Sequence, residues 1–174
     1  MPGPCSFCEA ECCKNYLIVV TSFDVYRIQE KTGIRAEEFV YFSPLNILNF
    51  NEELVLEFQQ PGMKYMEEGL LAIRSRPCYF LEGGKCKIHG FAPLSCKKYP
   101  YSSKGLMPGK VCPFISRAMF RTKPFGRIPK KYNEELYNYA LMVTVWNKSK
   151  KPREECLEFL MERTRDIIKN KGWE

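Results

Sequence analysis

The first readable stretch of hydrophobic positions is Tyr16-Leu17-Ile18-Val19-Val20, a short apolar run ending in β-branched residues. It predicts a buried strand. Thr21-Ser22-Phe23-Asp24 follows and fits a helix start. Thr21 is placed to cap the free amides, and Asp24 sits three residues on, near the positive end of the helix. The helix is predicted to run to about Thr32, with Val25 and Ile28 on its inner face and Gly33 as a left-handed stop. A second short helix is predicted from about Arg35 to Val40. Leu54 to Phe58 reads as a strand, Gln60-Pro61-Gly62 as a turn, and Gly69 to Arg74 as another strand.

Cys78-Tyr79-Phe80-Leu81, then Glu82-Gly83-Gly84-Lys85, then Cys86-Lys87-Ile88 predicts a β-hairpin with a four-residue loop. Alternation along its strands places Cys78 with Phe80 and Cys86 with Ile88, so that both thiols can face one site. Residues 90–130 hold six prolines and four glycines, a long irregular connection that needs pins; Cys96 and Cys112 are the candidates. Two helices are predicted to close the chain. The first runs from Asn133, read as its N-cap, to Asn147. Its apolar residues from Leu136 to Trp146 cover most of its circumference, which predicts burial on more than one side. The second begins at Pro152 and ends near Lys171-Gly172. Leu157, Leu160, Met161, Thr164, Ile167 and Ile168 form its inner stripe, with Cys156 at the border as a packing residue or free thiol.

These elements predict an α+β fold. Small antiparallel hairpins with metal-pinned loops are flanked by an N-terminal helix and two C-terminal helices. A length of 174 residues predicts one domain spanning 1–174, with a cysteine-rich region at 5–113 and a C-terminal helical hairpin at 133–171. With 45% hydrophobic residues the chain has an ordinary core, so metal adds a site or locks loops rather than replacing a core.

Cysteine supplies the candidate chemistry. Eight of the nine cysteines form an ordered series: Cys5, Cys8, Cys12 and Cys13, then Cys78, Cys86, Cys96 and Cys112. Met1 to Ser6 has no basic n-region, no apolar h-region and no cleavage site of a secretory signal. The apolar runs fall short of the ~20 residues of a membrane helix. The expectation is a cytoplasmic protein, where thiols stay reduced and an array of them binds metal. The Cys5–Cys8 pair lets two thiolates reach one metal from a single turn. Cys12 and Cys13 are adjacent, and their side chains are expected to diverge. The eight thiols suit two four-thiolate sites, or one cluster with supporting thiols. The formal charge of +7 would fall to about +5 with one four-thiolate site and about +3 with two. That balance permits nucleic-acid contact through Lys97, Lys98, Lys104 and Lys110 but does not argue for it.

The combined pattern resembles the YkgJ-like CxxCxxCC family, described as zinc- or iron-chelating and as iron–sulfur proteins. The resemblance rests on Cys5, Cys8, Cys12-Cys13, Thr21 to Asp24, Cys78 with Phe80-Leu81, Gly84 to His89, Pro93 to Pro100 with Cys96, and Cys112. The Cys8–Cys12 gap is one residue longer than the family name implies. His89 stands in place of a tyrosine, and Ala92 and Lys97 in place of arginines. The resemblance implies metal chelation, with a [4Fe–4S] cluster as the leading cofactor and zinc as the alternative. It implies no reaction.

Three functions follow as expectations. The first is an iron–sulfur protein in electron transfer, sensing or an accessory role, with a redox or protein partner and the aromatics Phe91, Tyr99 and Tyr101 shielding the cluster. The second is a structural zinc protein acting as an interaction module. The third is an enzyme akin to the flagellin lysine N-methylase, whose cysteine cluster is similar. The sequence lacks a G-x-G-x-x-G loop, a P-loop, a G-x-S-x-G elbow and an H-E-x-x-H motif, so it adds little to the third.

Overall fold

The computed structural model describes residues 9–45, 52–60, 62–63, 66–74, 76–99, 101–102, 105–106, 118 and 130–173. Cys5, Cys8, Cys112 and most of the 107–129 connection lie outside the described residues. The expected α+β class is observed, with helices packed on small antiparallel sheets.

The sheet is built on one apolar strand. Residues 69–73 are buried without a break, and they occupy the centre of a four-stranded sheet. This strand, β4 (Met66–Ile73), pairs antiparallel with three others. Along one edge lies β2 (Val40–Pro44), from Val40 opposite Ile73 to Pro44 opposite Gly69. The other edge is shared. The short β1 (Ile18–Val19) pairs with Ala72 and Ile73, and β3 (Leu56–Gln59) pairs with Met66 to Gly69. Gly69 lies where the flanking strands crowd in. A Cβ there would stand 3.1 Å from the Phe58 ring and 3.2 Å from the Ser43 carbonyl. The expected strands at 16–20, 54–58 and 69–74 are therefore present with other bounds: the first is trimmed to Ile18–Val19, the second shifted to Leu56–Gln59, and the third begins earlier, at Met66.

Between β1 and β2 the chain forms α2 (Ser22–Thr32) and α3 (Ala36–Phe39), preceded by the short α1 (Glu11–Asn15). The helix start at Thr21 is as read from the sequence. Thr21 Oγ1 accepts from the Asp24 amide at 3.3 Å, and Asp24 accepts from the Thr21 amide at 3.1 Å. Gly33 closes the helix with φ +71°.

The hairpin differs from expectation. Its ladder is only β5 (Leu81–Glu82) against β6 (Lys85–Cys86), with a two-residue loop rather than four. Gly83 and Gly84 both adopt positive φ, 54° and 74°. Adjacent glycines allow this tight turn, so Glu82 and Lys85 remain paired instead of joining the loop. Residues 76–80 form turns, so Cys78 is oriented by a turn and not by strand alternation. Beyond the hairpin come α4 (Leu94–Lys98) and the small pair β7 (Tyr101–Ser102) and β8 (Gly105–Leu106).

Two long helices finish the chain, α5 (Lys130–Ser149) and α6 (Cys156–Lys171). Asn133 is not the N-cap of α5; it lies inside the helix. The earlier turn is held by tertiary contacts. Tyr132 lies beneath the charges of Arg27 and Lys97, and Lys131 donates to the Trp173 carbonyl at 3.1 Å. The second expected helix is also shifted. A 3₁₀ turn, Arg153–Glu155, follows Pro152 before α6 begins.

The helices cover the sheet and finish its open edge. Trp146 Nε1 donates to the Glu57 carbonyl at 2.9 Å. Asn147 accepts from the Glu57 amide at 3.0 Å and donates to the Val55 carbonyl at 2.9 Å. The Asn147 carboxamide thus pairs with β3 as a neighbouring strand would, satisfying an edge that would otherwise face solvent. On α6, Leu160, Met161, Thr164 and Ile168 are buried, and Thr164 Oγ1 lies 2.6 Å from Ser22 Oγ on α2. Cys156 is fully buried rather than at the border of the stripe. Among the described residues no helix is long and apolar enough to cross a membrane.

Candidate metal centre

Four separate segments bring five of the expected ligand cysteines together. α1 supplies Cys12 and Cys13, the turn before the hairpin supplies Cys78, β6 supplies Cys86, and α4 supplies Cys96. Cys12 Sγ lies 3.9 Å from Cys13 Sγ. The Cys78 amide donates to the Cys13 carbonyl at 2.8 Å, fixing the turn to α1. Cys78 is part of the buried core, and Cys13, Cys86 and Cys96 pack against that core.

Cys12 and Cys13 do not diverge as expected. They sit in a helical turn, where successive side chains are about 100° apart rather than on opposite faces of a strand. Both thiols therefore remain on one side.

Asp24 orients Cys96. Its Oδ1 accepts from the Leu94 amide, the first of α4, at 3.2 Å, and from Arg27 Nη1 at 3.0 Å. Its Oδ2 accepts from the amide and hydroxyl of Thr21, each at 3.1 Å. The carboxylate is buried, and four donors surround it. Arg27 also donates to Glu135 Oε2 at 2.6 Å, joining α2 to α5. Burial alone would lower the Arg27 pKa, but the hydrogen bond and charge of Glu135 outweigh it and raise the value. On the far side of Cys96, Lys97 Nζ donates to Tyr132 Oη at 2.6 Å. The thiol-bearing turn is thus tied to α2 by Asp24 and to α5 by Lys97. Sequence reading missed this role of Asp24. Its signal was the Thr-x-x-Asp motif, read only as a helix cap.

The thiols influence one another. The contact between Cys12 and Cys13 couples the two thiols, lowering the Cys12 pKa to about 7 and raising that of Cys13. Burial raises Cys78, Cys86 and Cys96, and neighbouring thiols add to each shift. The Tyr16 and Tyr99 rings meet at a tilt of 53° with centroids 5.7 Å apart, and Phe91 packs on the core. His89 is exposed in a 3₁₀ turn.

The donor set fits thiophilic metals. Thiolate sulfur is the common ligand of zinc and of iron–sulfur clusters, and the nearby carboxylate of Asp24 is already committed to four hydrogen bonds. Among the described residues, no three Cys, His, Asp or Glu side chains stand in a ready chelating arrangement. The described cysteines are free thiols. Cys156 is the sixth, buried at the start of α6 and raised in pKa by that burial.

No curated protein and no solved structure matches the chain. The sequence model of CxxCxxCC, described as a "putative zinc- or iron-chelating domain", matches residues 4–118. That match covers more than half of the chain and every cysteine of the ordered series, and the chain belongs to this family.

Proposed function

We propose that the chain holds an iron–sulfur cluster of the [4Fe–4S] type. The observation that carries this reading is that Cys13, Cys78, Cys86 and Cys96 come from four segments to the same hydrophobic core, with Cys12 Sγ 3.9 Å from Cys13 Sγ. Cys78, Cys86, Cys96 and one of the Cys12–Cys13 pair would supply the four thiolates such a cluster needs. Cys5, Cys8 and Cys112, with the other member of the pair, complete the expected set of eight.

When bound, such a cluster supplies one-electron redox capacity, tuned by exposure and by hydrogen bonds to sulfur. The chain's own residues do the rest. Asp24 and Lys97 hold the Cys96 turn from two sides. The Cys78 amide, bonded to the Cys13 carbonyl, fixes two ligand segments to each other. Phe80 and Ile88, both buried, keep water from one side of the thiols. Because Cys13, Cys78, Cys86 and Cys96 are shifted toward the protonated form, loading them with a cation releases protons. Thiols that are to hold metal need a reducing compartment such as the cytoplasm.

Zinc is the second reading, favoured by a feature of the same site. Thiolates drawn from separate segments are also how structural zinc ties a fold together. Anaerobic reconstitution with iron and sulfide, and in parallel with zinc, separates the two. An electron paramagnetic resonance signal after reduction of the iron-loaded chain supports the cluster. Tight zinc binding, with iron and sulfide failing to load, supports the structural site and removes the first reading.

A further inference from the structure

The helix α5 buries only one side. Glu135, Tyr139, Met142, Val143 and Trp146 face the core, whereas Tyr137, Leu141 and Val145 are 66%, 47% and 52% exposed. The sequence predicted burial on more than one side, so this second apolar stripe lacks the neighbour its composition calls for among the described residues. It is continuous with two charges. At about 100° per residue, Glu134, Tyr137, Leu141, Val145 and Lys148 fall within about 80° of arc. A groove of about 410 Å³, lined by Glu53, Asn133, Leu136, Ala140 and Thr144 among others, runs beside the stripe and makes that flank concave.

The order of residues along the stripe selects its occupant. Tyr137 and Val145 each stand four positions from Leu141, and Glu134 and Lys148 each stand seven. A two-fold axis through Leu141 therefore sets Leu141 against its own copy and Tyr137 against Val145. It also sets Glu134 against Lys148 twice. Parallel packing would instead stack Glu134 on Glu134 and Lys148 on Lys148. We propose that this face binds a second copy of the chain as an antiparallel α5–α5 pair, an isologous contact of apolar centre and complementary charged ends. The proposal is independent of the metal reading.

The contact is one helix wide, below the size of a permanent interface, and a Kd between about 1 and 100 µM is expected. The test is analytical ultracentrifugation of the full chain, in reductant, from about 1 to 500 µM. The expected result is a reversible monomer–dimer equilibrium. Leu141→Glu abolishes it without lowering the melting temperature. Glu134→Lys and Lys148→Glu each weaken it by about tenfold, since two attractive pairs become repulsive. The double reversal Glu134→Lys/Lys148→Glu restores it to within about threefold. That restoration does not depend on how Leu141→Glu folds. A wild-type chain that stays monomeric throughout overturns the proposal, as does a dimer indifferent to the charge reversals. A monomeric chain unfolded by Leu141→Glu also overturns it, by showing that the stripe is covered within its own chain.

Discussion

The amide of Leu94 donates to the buried carboxylate of Asp24 at 3.2 Å, across 70 residues of sequence. One side chain therefore caps α2 and fixes the first turn of the helix that carries Cys96. Removing it acts at both places. Asp24→Ala is expected to destabilise the chain by about 2–4 kcal/mol, the sum of a lost cap and a buried amide left unsatisfied. It is also expected to lower the metal held per chain. Urea unfolding and metal analysis of the same sample check this. A loss of stability with unchanged metal content would mean that Asp24 serves only the fold.

The cysteines divide into two kinds. Cys78→Ser and Cys96→Ser are expected to cost most of the bound metal, because each removes a thiolate from the converged set. Cys156→Ala should keep the full metal complement and cost about 1–2 kcal/mol, the loss of a small buried group. Metal content of the three purified variants tells the two kinds apart. Loss of metal from the Cys156 variant would move that residue into the site.

Tyr139 makes a separate prediction. Its ring is buried, and its hydroxyl finds no hydrogen-bond partner among the described residues. An unpartnered buried hydroxyl contributes nothing to offset its desolvation. Tyr139→Phe is therefore expected to leave stability unchanged or raise it by up to about 1 kcal/mol. A loss of more than that in urea unfolding would reveal a partner for the hydroxyl.

Burial also sets an alkaline limit. It raises the Cys156 thiol and the Tyr139 phenol above their ordinary values of 9.0 and 10.0. In both cases the folded state holds the proton more tightly than the unfolded chain. Their contribution is complete below pH 9 and is lost as pH rises above the unfolded values. Cys78, Cys86 and Cys96 shift the same way in the metal-free chain. The urea midpoint of metal-free protein should fall between about pH 9 and 11, and Cys156→Ala should make the fall shallower. A flat profile would show that these groups are hydrated in the folded state.

Local signals in the sequence proved legible. The Thr21–Asp24 capping box, the Gly33 stop and the apolar run of β4 each depend on neighbours within a few residues, and each was read correctly. Errors arose where distant contacts decide. Asn133 looks like a helix start, but Tyr132 and Lys131 are held in an earlier turn by Arg27, Lys97 and Trp173. The sequence places Gly83-Gly84 inside a longer loop, because nothing local says that Glu82 and Lys85 pair. For the site, residue type and spacing exposed the thiols. They did not show that Cys12 and Cys13 stay on one side of a helical turn, nor that Asp24 reaches Leu94. The proposed places of Cys5, Cys8 and Cys112 fall outside the described residues.

The central claim is that the converged thiols bind an iron–sulfur cluster, and its most direct test is the composition of the chain itself. Iron, zinc and acid-labile sulfide should be measured after anaerobic purification, with a visible spectrum of the same sample. The account predicts iron and sulfide in equal amounts, about four of each per cluster, and broad absorbance near roughly 400 nm. A colourless protein carrying about one or two zinc ions per chain and no sulfide would contradict it.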